Sequence, residues 1–327
     1  MLDFFQFKNL IQVKDEKVSI KDEKSWKIDD FMLSYISIIL KKRCIYMTIE
    51  EAIRKGMYEL KNENIDTPKL KSRLLMQYVL KKTRQYIIVN DREELSKEDE
   101  KKFLFYIKKI KDGTPIEHIT HSKEFMKLNF FVNKNVLIPR QDTEILVEEI
   151  IKIANKTNSK KILDLCTGSG EIAVSLAKYI ENSEIVATDI SEDALKVAKK
   201  NAKINEVENQ ITFIKSDLFN KLKKEKFDII VSNPPYIKRN IIKTLDKQVQ
   251  KEPLIALDGG EDGLDFYRKI IDLSFEYLKY KGYLCLEIGY DQKDDVMKLI
   301  KQKEMYFNTY SKKDLFDNDR IVITELR

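Results

Sequence analysis

From Lys160 onward, short apolar runs of the chain alternate with stretches whose apolar residues recur at helical spacing. The alternating runs and stretches are 162–165, 172–179, 185–189, 194–202, 211–214 and 229–231, followed by 266–278, 283–288, 294–301 and 320–326. Parallel strands need a long crossover connection, which is usually a helix, so this alternation predicts βαβ units around a parallel sheet. The fold class expected is therefore α/β.

The length and composition indicate a globular protein with more than one domain. The chain has 327 residues, of which 43% are hydrophobic, enough to bury a large core. No run approaches the roughly 18 to 20 apolar residues that a membrane span needs. Residues 1–12 lack the basic lead and the small-residue cleavage site of a secretory signal. We therefore expect a cytoplasmic protein without a membrane partner.

Cysteines and histidines give no pattern typical of a metal site or a disulfide framework. Cys44, Cys166 and Cys285 are far apart, and His118 and His121 have no third ligand at a motif spacing. The net charge of +6 comes from lysines scattered along the whole chain, which is typical of a solvated surface. We predict no metal and no direct nucleic-acid readout.

Before the alternating region, capping signals predict a small helical domain over residues 47–113. Thr48 and Glu51 have the capping-box spacing, and Ser96 and Asp99 repeat it. Thr67 followed by Pro68 predicts a capping residue and a proline at the first helical position. Gly113 ends the last helical stretch.

Three further segments complete the predicted organisation. Residues 123–138 have the β-like pattern of a hairpin, so 114–138 is predicted to be a β-hairpin linker. Residues 139–327 then form the α/β domain. Residues 1–46 are treated as an N-terminal extension without an assigned role.

A glycine-rich loop and an acid one strand later predict a nucleoside-binding crevice. Asp164 to Gly170 closes the first strand and opens a helix, and its small residues let a ligand approach the backbone. Nineteen residues after Gly170, the next strand ends in Asp189, whose carboxylate can accept hydrogen bonds from two ribose hydroxyls. The residues predicted to bind the cofactor through this loop are Cys166, Thr167, Gly168, Ser169 and Gly170.

The sequence after the loop favours S-adenosylmethionine over a dinucleotide. A dinucleotide fingerprint needs a third glycine and a pyrophosphate seat at the helix N-terminus. Glu171 instead puts an acid where phosphate would be repelled and where the ammonium of S-adenosylmethionine is favoured. After the third strand, Asp217 is expected near the adenine amine. For Leu218, contact with the adenine ring and packing in the core both remain open.

The most specific motif is Asn233-Pro234-Pro235-Tyr236, at the end of the fourth strand. Two prolines remove two backbone donors, so the Asn233 side-chain oxygen and the Pro234 carbonyl remain as acceptors for one planar NH2 group. Tyr236 can stack on the flat group that carries this nitrogen. An amide nitrogen is a poor nucleophile, so its orientation and polarisation must lower the barrier to methyl transfer.

From Met47 to the C-terminus, the chain resembles the peptide chain release factor glutamine N5-methyltransferases, which depend on S-adenosylmethionine. Beyond the Asn233–Tyr236 motif, the matching segments are 136–140, Thr143-Glu144, Glu252-Pro253, Ala256-Leu257, 259–264, 286–290 and Asp319-Arg320. The resemblance implies a Rossmann-like class I methyltransferase domain with a seven-stranded, mostly parallel sheet. It also implies that S-adenosylmethionine binds at 166–170, Asp189, Leu218 and Asn233, and that residues 233–236 hold the glutamine of a Gly-Gly-Gln loop in class I release factors.

Five positions depart from the pattern of this family. Cys166, His121 and Lys127 stand where the family usually or often has glycine, Leu218 where it often has tryptophan, and Gln141 where it commonly has proline. Met47 coincides with the usual start of the family. We therefore expect residues 2–46 to be dispensable for folding and methylation, or Met47 to be the natural initiator.

Three other functions compete with the one that this resemblance implies. The same acceptor geometry suits an exocyclic amine of adenine or guanine in a nucleic acid, reached by base flipping. A glutamine of a ribosomal protein is a second possible substrate, since the motif alone does not distinguish it. A non-catalytic cofactor-binding scaffold would be expected to have lost the Asn233–Tyr236 motif, which is intact.

Overall fold

The computed structural model describes residues 11–14, 17–20 and 46–327. Strands β1 (Ile11–Lys14) and β2 (Lys17–Ile20) pair antiparallel in a two-stranded sheet. Apart from these two strands and Tyr46, the predicted extension 1–46, including Cys44, lies outside the described residues.

The first compact unit consists of five helices. They are α1 (Ile49–Asn62), α2 (Pro68–Leu80), α3 (Arg84–Val89), α4 (Lys97–Lys111) and α5 (Ile116–Thr120). Apolar side chains from all five helices pack into one cluster, in which Leu75 and Phe103 are fully buried. Ile116 and Ile119 of α5 belong to the same cluster, so the helical unit continues past Gly113 into the segment predicted as linker.

Two of the three predicted helix caps are confirmed. Thr48 and Glu51 form the complete capping box of α1, and the Ser96 hydroxyl accepts from the backbone N–H of Asp99 at the start of α4. The prediction for Thr67 is wrong. Thr67 makes no capping hydrogen bond, because its backbone is left-handed, with φ 45°, where a capping residue is normally extended.

The predicted hairpin is present between the helical unit and the sheet domain. Strands β3 (Lys123–Phe125) and β4 (Leu128–Phe130) pair antiparallel around Met126 and Lys127, which both have positive φ. A 3₁₀ turn (Gln141–Thr143) then leads into α6 (Glu144–Thr157), which the sequence patterns did not predict.

The α/β domain contains a seven-stranded, mostly parallel sheet. Its strands are β5 (Lys161–Leu165), β6 (Glu184–Asp189), β7 (Ile211–Lys215), β8 (Phe227–Ser232), β9 (Leu278–Glu287), β10 (Tyr306–Lys313) and β11 (Asp319–Leu326). The spatial order is β10-β11-β9-β8-β5-β6-β7, and only β11 is antiparallel to its neighbours. The α/β fold class and the seven-stranded sheet are thus confirmed.

Helices cover both faces of the sheet. Helix α6 packs on one face with α7 (Glu171–Tyr179) and α8 (Glu192–Ile204), and α9 (Asp265–Ser274) packs on the other with α10 (Lys293–Lys301). Successive side chains of β8 alternate between these layers, since Ile229 belongs to the first cluster and Ile230 to the second. Within the described part, no helix has both the length and the apolarity to cross a membrane.

The order of the strands determines where a ligand can bind. Strand β5 pairs with β6 on one side and with β8 on the other, and all three run parallel. The chain therefore reverses its direction of winding at β5. In open α/β sheets, ligands bind in the crevice at the carboxyl ends of the strands at such a point.

Candidate active site

The loop after β5 has a backbone that favours small residues. Cys166, Gly168 and Gly170 all have positive φ, at 60°, 56° and 81°. A Cβ atom added to Gly170 would lie 3.0 Å from the Cβ of Ala198 in α8, so the close packing of helix and loop also requires glycine there.

Hydrogen bonds attach this loop to the neighbouring strand. The Thr167 hydroxyl donates to Asp164 at 2.5 Å, and the Thr167 backbone N–H donates to the carbonyl of Thr188 in β6 at 2.9 Å. Asp164 is fully buried, and burial raises the pKa of its carboxyl well above the usual value. Through these two hydrogen bonds, Thr167 stabilises the loop from behind.

Asp189 lies at the end of β6, next to the loop. One carboxylate oxygen accepts from the Gly168 backbone N–H at 2.9 Å, and the other from the Ser191 backbone N–H at 2.8 Å. Burial raises the pKa of this carboxyl, and these two backbone hydrogen bonds lower it. Each oxygen retains a lone pair that can accept from a ligand hydroxyl.

One cleft of about 260 Å³ brings most of the predicted site residues together. The predicted residues that line it are Cys166, Gly168, Asp189, Asp217, Leu218, Asn233 and Pro235. Thr167, Ser169, Gly170, Pro234 and Tyr236 do not line it, and the first four are buried beside it. Phe266, Lys269 and the linker residues 135–137 also line the cleft, and the sequence assigned none of them a role in the site.

The sequence left two positions open for Leu218, in the core or beside the ligand, and the structure places it in the core at the wall of the cleft. It is 7% exposed and packs in the second hydrophobic cluster, and it also lines the cleft. Its φ of 47° is left-handed.

The Asn233 side chain faces the same cleft as Gly168 and Asp189. Its amide nitrogen donates to the Thr143 hydroxyl oxygen at 3.3 Å. With the NH2 end held by Thr143, the carbonyl oxygen at the other end of the planar amide is left for a ligand. Thr143 is fully buried, and its role was not predicted.

A second loop supports the backbone of the Asn233–Tyr236 motif from behind. The backbone N–H of Gly259 donates to the Ile237 carbonyl at 2.9 Å, and Ile237 pairs with Asp258 in an isolated parallel bridge. A Cβ atom on Gly259 would lie 2.7 Å from the Cα of Tyr236, so only glycine lets the two segments approach this closely.

Two acids near the cleft are buried. The sequence predicted Glu171 as the acid at the start of the helix after the glycine loop, but it assigned no position to Glu287. Glu171 lines the cleft, is 5% exposed and accepts from the Ser169 hydroxyl. Glu287, at the end of β9, is 1% exposed and accepts from the Tyr236 hydroxyl at 3.5 Å. Burial raises the pKa of both carboxyls to about 7.

The linker is attached to the α/β domain by the buried carboxylate of Glu252, which also forms an ion pair with the partly exposed Arg140 just after the linker. Glu252 accepts from the Ile138 backbone N–H at 2.8 Å and from the Arg140 guanidinium at 2.5 Å. These contacts hold the linker against the mouth of the cleft, which Leu137 and Pro253 line. Among residues 46–327, no group of three or more His, Cys, Asp or Glu side chains could hold a metal ion.

Comparisons with known proteins agree with this architecture. The family model of the methyltransferase small domain matches residues 140–252, and that of the PrmC N-terminal domain matches residues 51–120. The release factor glutamine methyltransferase of Clostridium acetobutylicum is 42% identical over 280 residues, covering 85% of this chain and 98% of the relative. The chain belongs to the release factor glutamine methyltransferase family. It is therefore an S-adenosylmethionine-dependent methyltransferase.

The release factor glutamine methyltransferase of Fusobacterium nucleatum is 35% identical over 315 residues, covering 95% of this chain and 88% of the relative. This share of the chain is more than the part from Met47 onward contains, so the alignment includes residues before Met47. The extension therefore has a counterpart in at least one member of the family. Among solved structures, ribosomal protein L11 methylase from Lactobacillus delbrueckii is 20% identical, with a TM-score of 0.44, over 57% of this chain and 81% of that chain.

Proposed function

We propose that this enzyme transfers a methyl group from S-adenosylmethionine to the side-chain amide nitrogen of the glutamine in the Gly-Gly-Gln motif of class I release factors. The similarity to release factor glutamine methyltransferases over nearly their whole length supports this substrate. The observation that carries the proposal is the Asn233 amide, held by Thr143 in the same cleft as Gly168 and Asp189.

The residues of the cleft fit the cofactor. Asp189 has free lone pairs for the ribose hydroxyls, Asp217 and Leu218 suit the adenine amine and ring, and Glu171 suits an ammonium group. An ammonium beside Glu171 would favour its carboxylate form, lowering a pKa that burial has raised. When bound, S-adenosylmethionine supplies an electrophilic methyl group on a sulfonium sulfur.

The Asn233–Tyr236 motif would orient the glutamine. The side-chain oxygen of Asn233 and the backbone carbonyl of Pro234 accept the two hydrogens of the substrate NH2 group. Because neither proline has a backbone N–H, no main-chain donor at these positions competes for the amide. Fixing the nitrogen in this way polarises it and removes the entropy cost of aligning it. The sequence predicts that Tyr236 stacks on this flat amide, but Tyr236 does not line the cleft, and its hydroxyl donates to Glu287.

The remaining parts of the chain are proposed to serve the same reaction. The helical unit, residues 47–113 in the predicted division, would recognise the release factor outside its loop. The hairpin linker, 114–138, closes the cleft of the methyltransferase domain, 139–327. Because the lysines are scattered along the chain, we expect a solvated surface without direct nucleic-acid readout, and we expect the enzyme to act in the cytoplasm.

Labelled cofactor with either a class I release factor or bulk RNA tests the substrate. We expect label in the release factor and one added methyl on its loop glutamine by mass spectrometry. Label in RNA alone, or in a ribosomal protein alone, would refute the proposal.

Asn233→Ala is expected to lower kcat by at least about a hundredfold, because the substrate NH2 loses a positioned acceptor, while the cofactor Kd changes little. Asn240→Ala is a matched control, since Asn240 is exposed on the following turn. Equal turnover by the Asn233 and Asn240 variants would remove Asn233 from the catalytic role.

A further inference from the structure

Leu315 and Phe316 form the tip of the loop between β10 and β11 and face the solvent. They are 95% and 82% exposed, more than any other large apolar side chain of the described residues. Tyr290, in the turn after β9, is also exposed. A single exposed apolar residue is ordinary on a protein surface, whereas neighbouring ones often mark a contact with another molecule. We call Tyr290, Leu315 and Phe316 the edge residues.

The loop that carries Leu315 and Phe316 is held in one shape by Asp314. One oxygen of its carboxylate accepts from the backbone N–H groups of Phe316 and Asn318, each at 2.9 Å, and the other accepts from the Arg320 guanidinium at 2.9 Å. Fixing a loop costs conformational entropy, and the two exposed side chains recover little of it through burial in this chain. The ordered loop presents them in a fixed arrangement, which lowers the entropy cost of binding a partner.

The edge residues lie at the carboxyl edge of the sheet, on the side of β8 away from the cofactor loop. Ser232, which precedes the Asn233–Tyr236 motif, pairs with Leu286 of β9, and the next residue, Glu287, pairs with Ile321 of β11. Neighbouring strands are about 4.8 Å apart, so the start of β11 lies roughly 10 Å from the end of β8. The cofactor loop follows β5, on the other side of β8. The edge residues are therefore on the acceptor side of the cleft.

Hydrogen bonds connect the two turns that carry the edge residues to each other and to the Asn233–Tyr236 motif. The Ile288 backbone N–H, just before the first turn, donates to the carbonyl of Arg320, just after the second, at 2.8 Å. The Gln292 side chain donates to the carbonyl of Tyr236, the last residue of the motif, at 3.0 Å. These contacts fix the position of the turns relative to the motif.

We propose that the edge residues are a docking surface for the body of the class I release factor, which they anchor while its glutamine loop enters the cleft. This inference rests on the proposed function. Stable complexes of two proteins bury roughly 800 Å² on each partner. A cleft of about 260 Å³, which the cofactor shares, has no room for that much contact with a protein. The surface that continues from the acceptor side of the cleft supplies the rest.

The chemistry of the edge residues specifies what they bind. Aromatic and aliphatic side chains on a fixed backbone are suited to fill an apolar pocket, which here belongs to the release factor near its Gly-Gly-Gln motif. A nucleic acid would instead need unneutralised positive charge for its phosphates. Lysines around the edge residues are paired with nearby acids: Lys238 with Asp291 at 3.3 Å, Lys293 with Asp319 at 2.9 Å and Lys313 with Asp317 at 3.0 Å.

The double variant Leu315→Ser, Phe316→Ser tests the docking surface, because neither side chain contributes to the core. We expect the KM for an intact class I release factor to rise by at least about tenfold. The kcat at saturation, the cofactor Kd and the midpoint of urea unfolding should stay unchanged. Tyr290→Ser should raise the KM in the same direction. Tyr280→Ser is the matched control, since Tyr280 is exposed near the start of β9, at the opposite edge of the sheet.

An unchanged KM in the double variant would overturn the proposal, and so would an equal rise in the Tyr280 variant. A fall in kcat without a change in KM would also overturn it, because docking acts on binding of the release factor. If the double variant loses affinity for RNA while its KM for the release factor is unchanged, a nucleic acid is the occupant and the proposal is wrong. Failure of the proposed function is distinguishable, because the wild type would then not methylate the release factor at all.

Discussion

Three residues at which this chain departs from the pattern of its family share an unusual backbone conformation. Cys166, His121 and Lys127 occupy positions where glycine is usual or frequent, and all three have a left-handed backbone with φ between 55° and 60°. In this conformation the Cβ atom lies too close to the following carbonyl oxygen, and glycine, which has no Cβ, avoids this strain. Each departure therefore places a side chain in a backbone conformation that glycine adopts without strain.

Lys127 offers a direct test of this strain. Met126 and Lys127 both have positive φ in a two-residue hairpin, the turn in which glycine is strongly favoured at the second position. Lys127→Gly is expected to raise the free energy of unfolding by about 0.5 to 1 kcal/mol, measured by urea denaturation. Lys134→Gly, at an exposed position without positive φ, should give no gain. A gain in both variants would contradict this explanation.

Asp189 is the residue whose loss should weaken cofactor binding most directly. Its two oxygens hold the loop and the start of the next turn through Gly168 and Ser191. Asp189→Ala is expected to raise the Kd for S-adenosylmethionine by about tenfold or more in calorimetry, because ribose hydrogen bonds to a carboxylate are lost. Asp193→Ala, an exposed acid four residues later, is the control. A Kd unchanged by the first substitution would remove Asp189 from the ribose site.

At the scale of elements, the sequence predicted those whose signals are local. The capping residues of α1 and α4, the hairpin and the central strands all follow from short patterns and are confirmed. Strand β10 was missed because it is an edge strand in which only Tyr306 is buried, so it lacks a continuous apolar run. Helix α3 was missed because it has six residues, too few for a periodic signal.

The residues of the candidate site also divide into those with a local sequence signal and those without one. The glycine loop, Asp189 and the Asn233–Tyr236 motif each follow a strand and could be predicted from local residues. Thr143 could not, because its partner Asn233 lies 90 positions away and the contact exists only in the folded chain. The sequence showed Glu287 only as part of a family motif, and it did not indicate that Glu287 lies beside Tyr236.

Asn201 connects three elements and gives a prediction at this scale. Its side chain accepts from the Phe131 backbone N–H at 2.7 Å and donates to the carbonyls of Phe131 and Ser169 at 2.9 and 2.8 Å. Asn201→Ala leaves these buried groups unpaired, so we expect a loss of about 2 to 4 kcal/mol in unfolding free energy. Asn209→Ala, at an exposed position, should change it little. Urea denaturation measures both, and similar values would contradict the connecting role.

At the scale of the whole molecule, buried acids link stability to pH. Burial raises the pKa of Glu171 and Glu287 from 4.5 to about 7, so the folded protein binds protons that the unfolded chain releases. Their contribution to stability is full below pH 4.5 and is lost as the pH rises through about 7. His118 acts in the opposite direction, because burial lowers its pKa.

The contribution of Glu171 can be isolated by comparing the free energies of unfolding of the wild type and of Glu171→Gln. We expect the free energy of unfolding of the cofactor-free wild type to fall between pH 5 and 8 relative to that of Glu171→Gln, in which one of the acids cannot ionise. His118 is present in both proteins and cancels in the difference. Urea denaturation at several pH values measures it, and parallel curves would show that Glu171 titrates normally in the folded state.

The sheet itself has a consequence for the reaction. The cofactor loop leaves β5 at Leu165, and the Asn233–Tyr236 motif leaves β8 at Ser232, and these two strand ends are paired with each other. Adjacent strands are held about 4.8 Å apart by their ladder of backbone hydrogen bonds. Under the proposed function, methyl donor and acceptor would therefore bind at two strand ends whose separation the sheet fixes. A movement of the linker or of the loop at 253–256, both of which line the cleft, would widen the entrance without lengthening the path of the methyl group.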